Sequence, residues 1–273
     1  MVAVFAGCGF QPSPASGDAP GSDAAGSGSD TDQDMDGVAD AVDNCPTTAN
    51  ADQRNRDHDA WGDACDLCPH LATATDPDLD GDKVGDSCDP RQGVTDHLAL
   101  FNGFYDPASI SGWTASSGMW SLYGNALHQD APNPGDRLFA SPAAFQRVAV
   151  TTSFVVGTAS PNRAIGFCTG YIMGVQQYCC TVQDGSSGPE VVSTWIYPGM
   201  AAQAKSPWTG TFAPDDRIQL AQNPANGNQC SASQGTTTVS ATGSVGPSTV
   251  GKLEFYTAST TASYDYVFIV ELD

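Results

Sequence analysis

The sequence is poor in basic residues, and it has no long hydrophobic run. Ten Lys and Arg stand against 31 Asp and Glu, which gives a formal net charge of −21. Such a surface is a poor partner for nucleic acid, because phosphates are bound by basic patches. No segment approaches the ~18 apolar residues of a membrane-spanning helix. The sequence therefore predicts no nucleic-acid partner and no spanning segment.

Glutamate is also scarce, being confined to Glu190, Glu254 and Glu271. Glycoside hydrolysis needs two carboxylates flanking the scissile bond, and these three are scattered along the chain. There is no G-x-S-x-G motif, and His97 and His128 lack a Ser or Cys context typical of a catalytic triad. We assign no catalytic residue and predict that the protein is not an enzyme. The alternative is a carbohydrate-active enzyme with unfamiliar catalytic residues.

What the sequence does contain is an acidic pattern that occurs three times at a step of 23 residues, with copies that start at Asp32, Asn55 and Asp78. A fixed period indicates stacked structural units. A solvated acidic linker, the usual interpretation of an Asp-rich run, would not keep this register. Residues 30–90 hold 17 Asp against three basic residues, so the negative charge is concentrated there.

The pattern suits a hard cation. Carboxylates at loop positions 1, 3 and 5, a backbone carbonyl at 7 and acidic groups at 9 and 12 can surround Ca2+ with oxygen. Two carboxylates about 5 Å apart repel by roughly 3 kcal/mol, so the cluster requires a cation. The predicted ligands are Asp32, Asp34, Asp36, Val38, Asp40, Asp43, Asn55, Asp57, Asp59, Trp61, Asp63, Asp66, Asp78, Asp80, Asp82, Val84, Asp86 and Asp89.

These residues resemble the thrombospondin type 3 repeat, whose signature is D-x-D-x-D-G-x-x-D-x-x-D-N-C-P and later G-x-G-D-x-C-D. The resemblance implies calcium binding and covers about 60 of the 273 residues. The chain departs from the signature at position 6, where a sharp turn favours Gly: Gly37 has it, whereas Ala60 and Lys83 replace it. Asn55 removes one charge from the second loop. We expect the second and third sites to be weaker than the first.

Eight of the nine cysteines form an even set once Cys8 is set aside. Pairing loop position 14 of one copy with position 11 of the next gives Cys45–Cys65 and Cys68–Cys88. The alternative is a zinc or redox site at Cys65 and Cys68, which would need a second cysteine pair or nearby His.

The N-terminus suggests a surface location. Residues 1–8 end in Ala-Gly-Cys and look like the tail of a bacterial lipoprotein signal, although Phe5 replaces the usual Leu and a basic stretch is absent. Cys8 would then carry lipid; an idle thiol is the alternative. Residues 9–29, which are rich in Gly, Pro, Ser and Ala, are predicted to be a flexible tether. We expect an extracytoplasmic protein, lipid-anchored at the outer membrane or cell surface, or secreted.

Residues 92–273 have the composition of an antiparallel β-sandwich. Short runs rich in Val, Ile, Phe, Tyr and Thr alternate with turn residues, and the layout from Trp113 to the closing run 264–270 resembles the concanavalin A-like (laminin G-like) jelly roll. The predicted fold is thus mostly β: a calcium- and disulfide-stapled irregular repeat segment (30–91) followed by a jelly roll. The predicted strands cover 119–123, 147–156, 164–168, 177–182, 191–197, 217–221, 236–242, 252–256 and 264–271.

The sandwich has its own four cysteines. Cys179 and Cys180 are adjacent, so on a strand they point to opposite faces. We expect Cys168 to pair with one of them and Cys230 with the other; a vicinal Cys179–Cys180 bridge is the rarer alternative.

Three aromatic residues mark our candidate ligand surface. Trp195, Tyr197 and Trp208 lie in or beside a Pro- and Gly-rich stretch, 196–211, predicted as a loop between strands. A Trp at such spacing is more often part of a core. The main functional hypothesis is a calcium-binding adhesion or recognition protein whose sandwich binds glycan or a cell-surface protein. The alternative is a calcium-loaded spacer with no ligand.

Overall fold

The computed structural model describes residues 31–132, 136–139, 143–158, 160–172, 176–197, 200–243 and 250–273. The predicted lipidation site Cys8 and the tether 9–29 lie outside the described residues. Within the described part of the chain, no helix has the length and apolar character needed to cross a membrane.

The repeat segment consists of turns and bends up to residue 96. Asp is its commonest residue, and the short Asp side chain bonds the nearby backbone in competition with helix and sheet. Backbone N–H groups are accordingly satisfied by carboxylates, as in the bond from Val38 to Asp36 of 2.8 Å. The fold of this segment therefore depends on its aspartates.

Beyond residue 96, the chain forms β-strands joined by turns, with 3-10 turns at Pro107–Ile110 and Pro224–Asn226. The described strands are β1 (His97–Asn102), β2 (Thr114–Ala115), β3 (Trp120–Tyr123), β4 (Ala126–Gln129), β5 (Asp136–Phe139), β6 (Val148–Val156), β7 (Ala164–Ile172), β8 (Gln176–Gly185), β9 (Gly188–Tyr197), β10 (Met200–Pro207), β11 (Arg217–Asn223), β12 (Gln229–Gln234), β13 (Thr237–Thr242), β14 (Lys252–Ala258) and β15 (Ala262–Glu271).

The strands form two antiparallel sheets, as predicted. One sheet has the order β13-β12-β11-β6-β15-β4-β3, and β1 pairs with β15 as well. The other has the order β10-β9-β8-β7-β14-β5-β2. We call them the eight-stranded and the seven-stranded sheet. The inner faces enclose one hydrophobic core whose largest buried members include Phe154, Phe167, Phe255 and Tyr264.

All nine predicted strands are present, but the loop predicted at 196–211 is wrong in part. Strand β10 occupies Met200–Pro207 and pairs with β9 from Met200 to Pro207. Its sequence, MAAQAKSP, is poor in β-branched and aromatic residues. The pairing along β9 gives it strand structure that its own propensity does not predict.

The repeat segment packs against the outer face of the eight-stranded sheet. Val84, which is 1% exposed, belongs to a hydrophobic cluster with Tyr266, Phe268 and Val270 of β15. His70 stacks at a tilt on Phe268, with ring centroids 4.4 Å apart. Consequently β15 is buried on both faces, and the repeats make apolar contacts with the sandwich.

Candidate functional site

The carboxylates at loop position 5 organise each repeat in the same way. Each accepts a hydrogen bond from the backbone N–H two residues later and another from the N–H fourteen residues later. The donors are Val38 (2.8 Å) and Asn50 (2.6 Å) for Asp36, Trp61 (2.7 Å) and Thr73 (3.0 Å) for Asp59, and Val84 (2.8 Å) and Asp96 (2.7 Å) for Asp82. The sequence period of 23 is therefore also a structural period.

Positions 9 and 12 repeat their contacts as well. Each position-9 carboxylate accepts the N–H of the residue at position 2, and each position-12 carboxylate accepts an N–H two residues ahead. The pairs are Gln33–Asp40 (2.8 Å), Arg56–Asp63 (2.7 Å), Leu79–Asp86 (2.9 Å), Cys45–Asp43 (2.8 Å), Cys68–Asp66 (2.7 Å) and Arg91–Asp89 (2.7 Å).

Position 3 differs, because in every repeat its carboxylate holds a buried oxygen that has no hydrogen-bond partner, whereas position 12 has such an oxygen at Asp43. The position-3 oxygens are Oδ2 of Asp34, Oδ2 of Asp57 and both oxygens of Asp80. Desolvation raises the pKa of all three carboxyl groups. Buried polar atoms in proteins are nearly always satisfied, and a bound cation would satisfy these.

Three clusters surround these oxygens. In each, one oxygen from every member lies within 4.8 Å of the others. The clusters are Asp32, Asp34 and Asp36 in the first repeat, Asp57, Asp59 and Asp66 in the second, and Asp78, Asp80 and Asp82 in the third. Anionic oxygens at this spacing fit Ca2+, which takes 6–8 oxygen ligands. The donor set contains neither nitrogen nor sulfur, so it suits a hard cation better than zinc.

The second cluster is built differently from the other two. Asn55, at position 1, donates to the carbonyl of Asp59 (3.0 Å) and accepts from the N–H of His58 (2.6 Å). Asp66 at position 12 joins the cluster in its place. Asp66 is buried, and desolvation, with nearby carboxylates as lesser causes, raises its pKa to about 7.

Asp76 is a functional candidate that sequence reasoning missed. Its Oδ2 accepts the N–H of Leu67 at 2.5 Å, and it lies against Asp66. One repeat earlier, the equivalent Gln53 accepts from Asn44 (3.0 Å) and donates to Asp43 (2.7 Å). The signal was available, because residues 53 and 76 are one period of 23 apart. The pair of an amide and a carboxylate, Gln53 and Asp43, in one repeat is therefore replaced by a pair of carboxylates, Asp76 and Asp66, in the next.

The sharp turns of the loops were predicted at position 6, and the structure has another at position 4. Position 4 has a positive φ in every copy: Met35 (65°), His58 (65°) and Gly81 (79°). Position 6 is also left-handed at Gly37 (96°) and Lys83 (71°). The turn therefore does not require Gly at position 6, and Lys83 adopts it with a side chain.

The disulfides of the chain are as predicted. The repeats are linked by Cys45–Cys65 and Cys68–Cys88, which removes the thiols that a zinc or redox site at Cys65 and Cys68 would need. In the sandwich, Cys168–Cys179 joins neighbouring strands β7 and β8, while Cys180–Cys230 connects the two sheets.

The aromatic residues predicted to bind ligand do not form one exposed patch. Trp208 is 5% exposed, belongs to the core and donates from Nε1 to the carbonyl of Thr211 at 2.9 Å. Trp195 is partly buried on β9, and the side chain of Tyr197 lies outside the described residues. Trp208 therefore offers no ring face to a ligand, because the core covers it.

A polar groove lies instead on the outer face of the seven-stranded sheet. Its lining includes Gln177, Thr194, Gln203 and Tyr256, and its volume is about 170 Å³. Oε1 of Gln177 is buried there without a hydrogen-bond partner among the described residues. Amides and hydroxyls of this kind suit the hydroxyl groups of a sugar.

Fold and loops together define the class: a repeat segment with cation-type acidic loops, joined to a jelly-roll sandwich. Residues 17–53 match the family model described as Thrombospondin type 3 repeat. No curated protein matches the sequence. Four disulfides and this repeat point to an extracellular protein.

Solved structures similar to the chain include the carbohydrate-binding module CBM66 from Bacillus subtilis, with 14% identity, a TM-score of 0.41 and coverage of 56% of this chain and 92% of that one. A Bacillus licheniformis β-glucanase has 10% identity, a TM-score of 0.45 and coverage of 64% and 98%. The Crh5 transglycosylase in complex with NAG has 10% identity, a TM-score of 0.43 and coverage of 63% and 83%. These similarities extend to the fold alone.

One prediction is corrected by these comparisons. The sequence led us to predict that the chain is not an enzyme, yet a glucanase and a transglycosylase are among the structures similar to it. At 10–14% identity, neither a reaction nor its absence is shown.

The scattered glutamates have separate environments. Glu190 on β9 accepts from Lys205 (2.7 Å) and Gln183 (2.9 Å). Glu271 on β15 accepts from the N–H of Gln146 (3.0 Å). Glu254 is fully buried on β14, opposite Cys168 on β7. Glu190 and Glu254 share the seven-stranded sheet, whereas Glu271 lies in the other.

Proposed function

We propose that the protein is an extracellular calcium-binding module whose repeats hold at least one Ca2+ in each of three loops. The observation that carries this proposal is the buried, unpartnered oxygen of position 3 in every repeat, at Asp34, Asp57 and Asp80. A buried acceptor without a partner is unfavourable, and Ca2+ would supply the missing coordination bond. Calcium would also offset the repulsion within each cluster.

The test is calorimetric titration of the metal-free full chain with Ca2+. We expect three or more ions, and one fewer in Asp34→Asn and in Asp57→Asn. Asp52→Asn is the matched control, because Asp52 lies in the same segment outside the pattern and pairs with Arg54. No binding at millimolar Ca2+, or an equal loss in the control, would contradict the proposal.

We also propose that the sandwich recognises glycan through the groove on the seven-stranded sheet. The buried Oε1 of Gln177 supports this, since an acceptor without a partner is available to a sugar hydroxyl. The wild-type protein should be retained on at least one of a panel of immobilised polysaccharides, and this retention should be lost in Gln177→Ala. Gln229→Ala, a partly buried glutamine on the opposite sheet, is the control. Reducing ends measured in the same samples report whether the sugar is also cleaved, and no retention at all would favour a plain spacer.

The lipid anchor at Cys8 and the tether that follows it are proposed on the sequence alone. Attachment would place the folded parts away from the membrane surface. Metabolic labelling with a fatty acid should mark the wild-type chain and not Cys8→Ser. Release of the variant into the medium is the second readout, and labelling of both chains would refute the anchor.

A further inference from the structure

A second and larger pocket lies where the repeats meet the sandwich. It has a volume of about 710 Å³, within the ~300–1,000 Å³ typical of small-molecule sites. Arg56, His58 and His70 line it from the repeat segment, while Arg217, Asp265 and Tyr266 line it from the eight-stranded sheet. We call it the junction pocket. It exists only because the two parts of the chain are packed together.

The junction pocket has an excess of positive charge. Its described lining contains two guanidinium groups, Arg56 and Arg217, and one carboxylate, Asp265. Arg56 approaches Asp265 at 3.5 Å, Arg217 forms an ion pair with it, and the hydroxyl of Ser153 donates to it at 2.9 Å. The carboxylate is thus already well satisfied; Asp63, outside the lining, also faces Arg56, so within the lining itself two guanidinium groups share one carboxylate. This is unusual in a chain with a net charge of −21.

Arg217 is the cation that a ligand can reach. Its side chain is 61% exposed, whereas that of Arg56 is 14% exposed and also donates to the carbonyl of Asn125 at 2.9 Å. Burial is the main cause that lowers the pKa of Arg217, and the nearby charge of Arg56 is a lesser cause. Asp265 already contacts both guanidinium groups, so an anionic ligand would approach Arg217 from its exposed side.

We propose that the junction pocket binds the carboxylate of an acidic sugar, that is, a uronic-acid residue of a polysaccharide. A carboxylate matches the fork of guanidinium donors. The carboxylate of Asp265 in the lining disfavours a dianion such as phosphate more than a monoanion. Gln219 and Gln234 in the lining supply amides for the sugar hydroxyls. The inference rests on the proposed glycan recognition and names a ligand class for it.

The same geometry makes this binding depend on calcium. Arg56 lies at position 2 of the second loop, between Asn55 and Asp57, and its N–H donates to Asp63 at 2.7 Å. An ion in that loop would fix the backbone that carries Arg56 into the pocket. Because coupling between two sites is reciprocal, the sugar should tighten Ca2+ binding by the same factor.

The experiment uses the full chain and two probes, tri-galacturonic acid and its methyl ester, each titrated in Ca2+ and in chelator. The ester keeps the shape and removes the charge. We expect the acid to bind at least tenfold more tightly than the ester in Ca2+, with this preference lost in chelator. Arg217→Gln should lose at least tenfold for the acid only. Arg147→Gln, which removes an exposed arginine elsewhere, is the control.

A second variant tests the pocket even if Arg217→Gln fails to fold. Ser233 lines the pocket, and Ser233→Asp would add a carboxylate that repels the acid without removing Arg217. Equal binding of acid and ester, or wild-type affinity in Arg217→Gln, would overturn the inference. Retention of neutral glycans alone would leave the proposed function standing without this site. Failure of every glycan to bind would refute both.

Discussion

The hydroxyl of Tyr105, in the sandwich, donates a hydrogen bond of 2.6 Å to the carboxylate of Asp63, in the second repeat. The other oxygen of Asp63 accepts the N–H of Arg56 at 2.7 Å. Both oxygens of a residue predicted as a calcium ligand are therefore engaged by the protein. The Arg54 guanidinium lies over the Tyr105 ring, 4.9 Å from its centre. Position 9 of this loop thus connects the repeats to the sheet.

Tyr105→Phe should weaken the packing of the repeats on the sandwich. A hydrogen bond to a charged group contributes about 1.5–3 kcal/mol, so we expect a loss of that size in the free energy of unfolding. Denaturant unfolding in Ca2+ measures it. Tyr123→Phe is the matched control. Tyr123 is exposed, and its hydroxyl donates to Asp130 over a longer distance of 3.4 Å, so the loss of this bond should cost less. An equal effect in both variants would contradict a specific connection.

Calcium binding to the second loop should weaken as the pH falls. Burial raises the pKa of Asp66 to about 7 in the metal-free protein, and the ion requires the deprotonated form. With one proton competing, the apparent affinity of this site should drop about tenfold between pH 8 and pH 6. Calorimetry in buffers of different ionisation enthalpy should detect the released proton. A pH-independent affinity would show that Asp66 is already ionised.

Asp76→Gln tests the origin of that shift. The variant copies the preceding repeat, where Gln53 donates to Asp43 at 2.7 Å. Desolvation is the largest cause of the raised pKa of Asp66 and would persist, as would repulsion from Asp57 and Asp59, but the contribution of Asp76 would disappear. We expect a shallower pH dependence of Ca2+ binding. A loss of one ion instead would identify Asp76 as a ligand.

His70 should make the protein sensitive to acid. Packed against Tyr266 and Phe268, it has its pKa lowered by burial to about 4, from an ordinary value of 6.5. The unfolded chain then binds the proton more readily than the folded one. This contribution to stability is fully present above pH 6.5 and is lost as the pH falls towards 4, up to about 3 kcal/mol.

The check is the difference in unfolding free energy between wild type and His70→Gln across this range. Aspartates that titrate in the same range affect both proteins and cancel in the comparison. The difference should shrink as the pH falls. A constant difference for His70→Gln would mean that His70 is protonated within the interface.

The disulfide between the sheets should stabilise the sandwich more than the one within a sheet. Cys180–Cys230 spans 50 residues and Cys168–Cys179 spans 11. Loop-closure entropy gives about 4 and about 3 kcal/mol respectively. Urea unfolding of the paired Cys→Ala variants measures both. A larger loss for Cys168→Ala with Cys179→Ala would reverse the order and argue against an entropic origin.

Sequence by itself determined the features that depend on neighbours along the chain. The period of 23 and the acidic clusters follow from residues one period apart, and the repeat disulfides follow from cysteines at loop positions 14 and 11 of successive copies. Strands such as Val148–Val156 follow from local composition. The sequence also contained one sign that the repeats cover the outer face of β15. The run from Tyr266 to Val270 is apolar on both faces, which an antiparallel strand with one solvated face would not be.

Tertiary structure alone decided which surfaces meet. It placed Trp208 in the core, made a strand of Met200–Pro207 and set Arg56 beside Arg217, residues 161 positions apart. The physical reason is that burial, pairing along a sheet edge and charge proximity depend on partners distant in the chain, and local propensity carries no information about them. The loops of the repeats follow from their own residues, whereas the junction pocket exists only once the repeats are packed on the sheet.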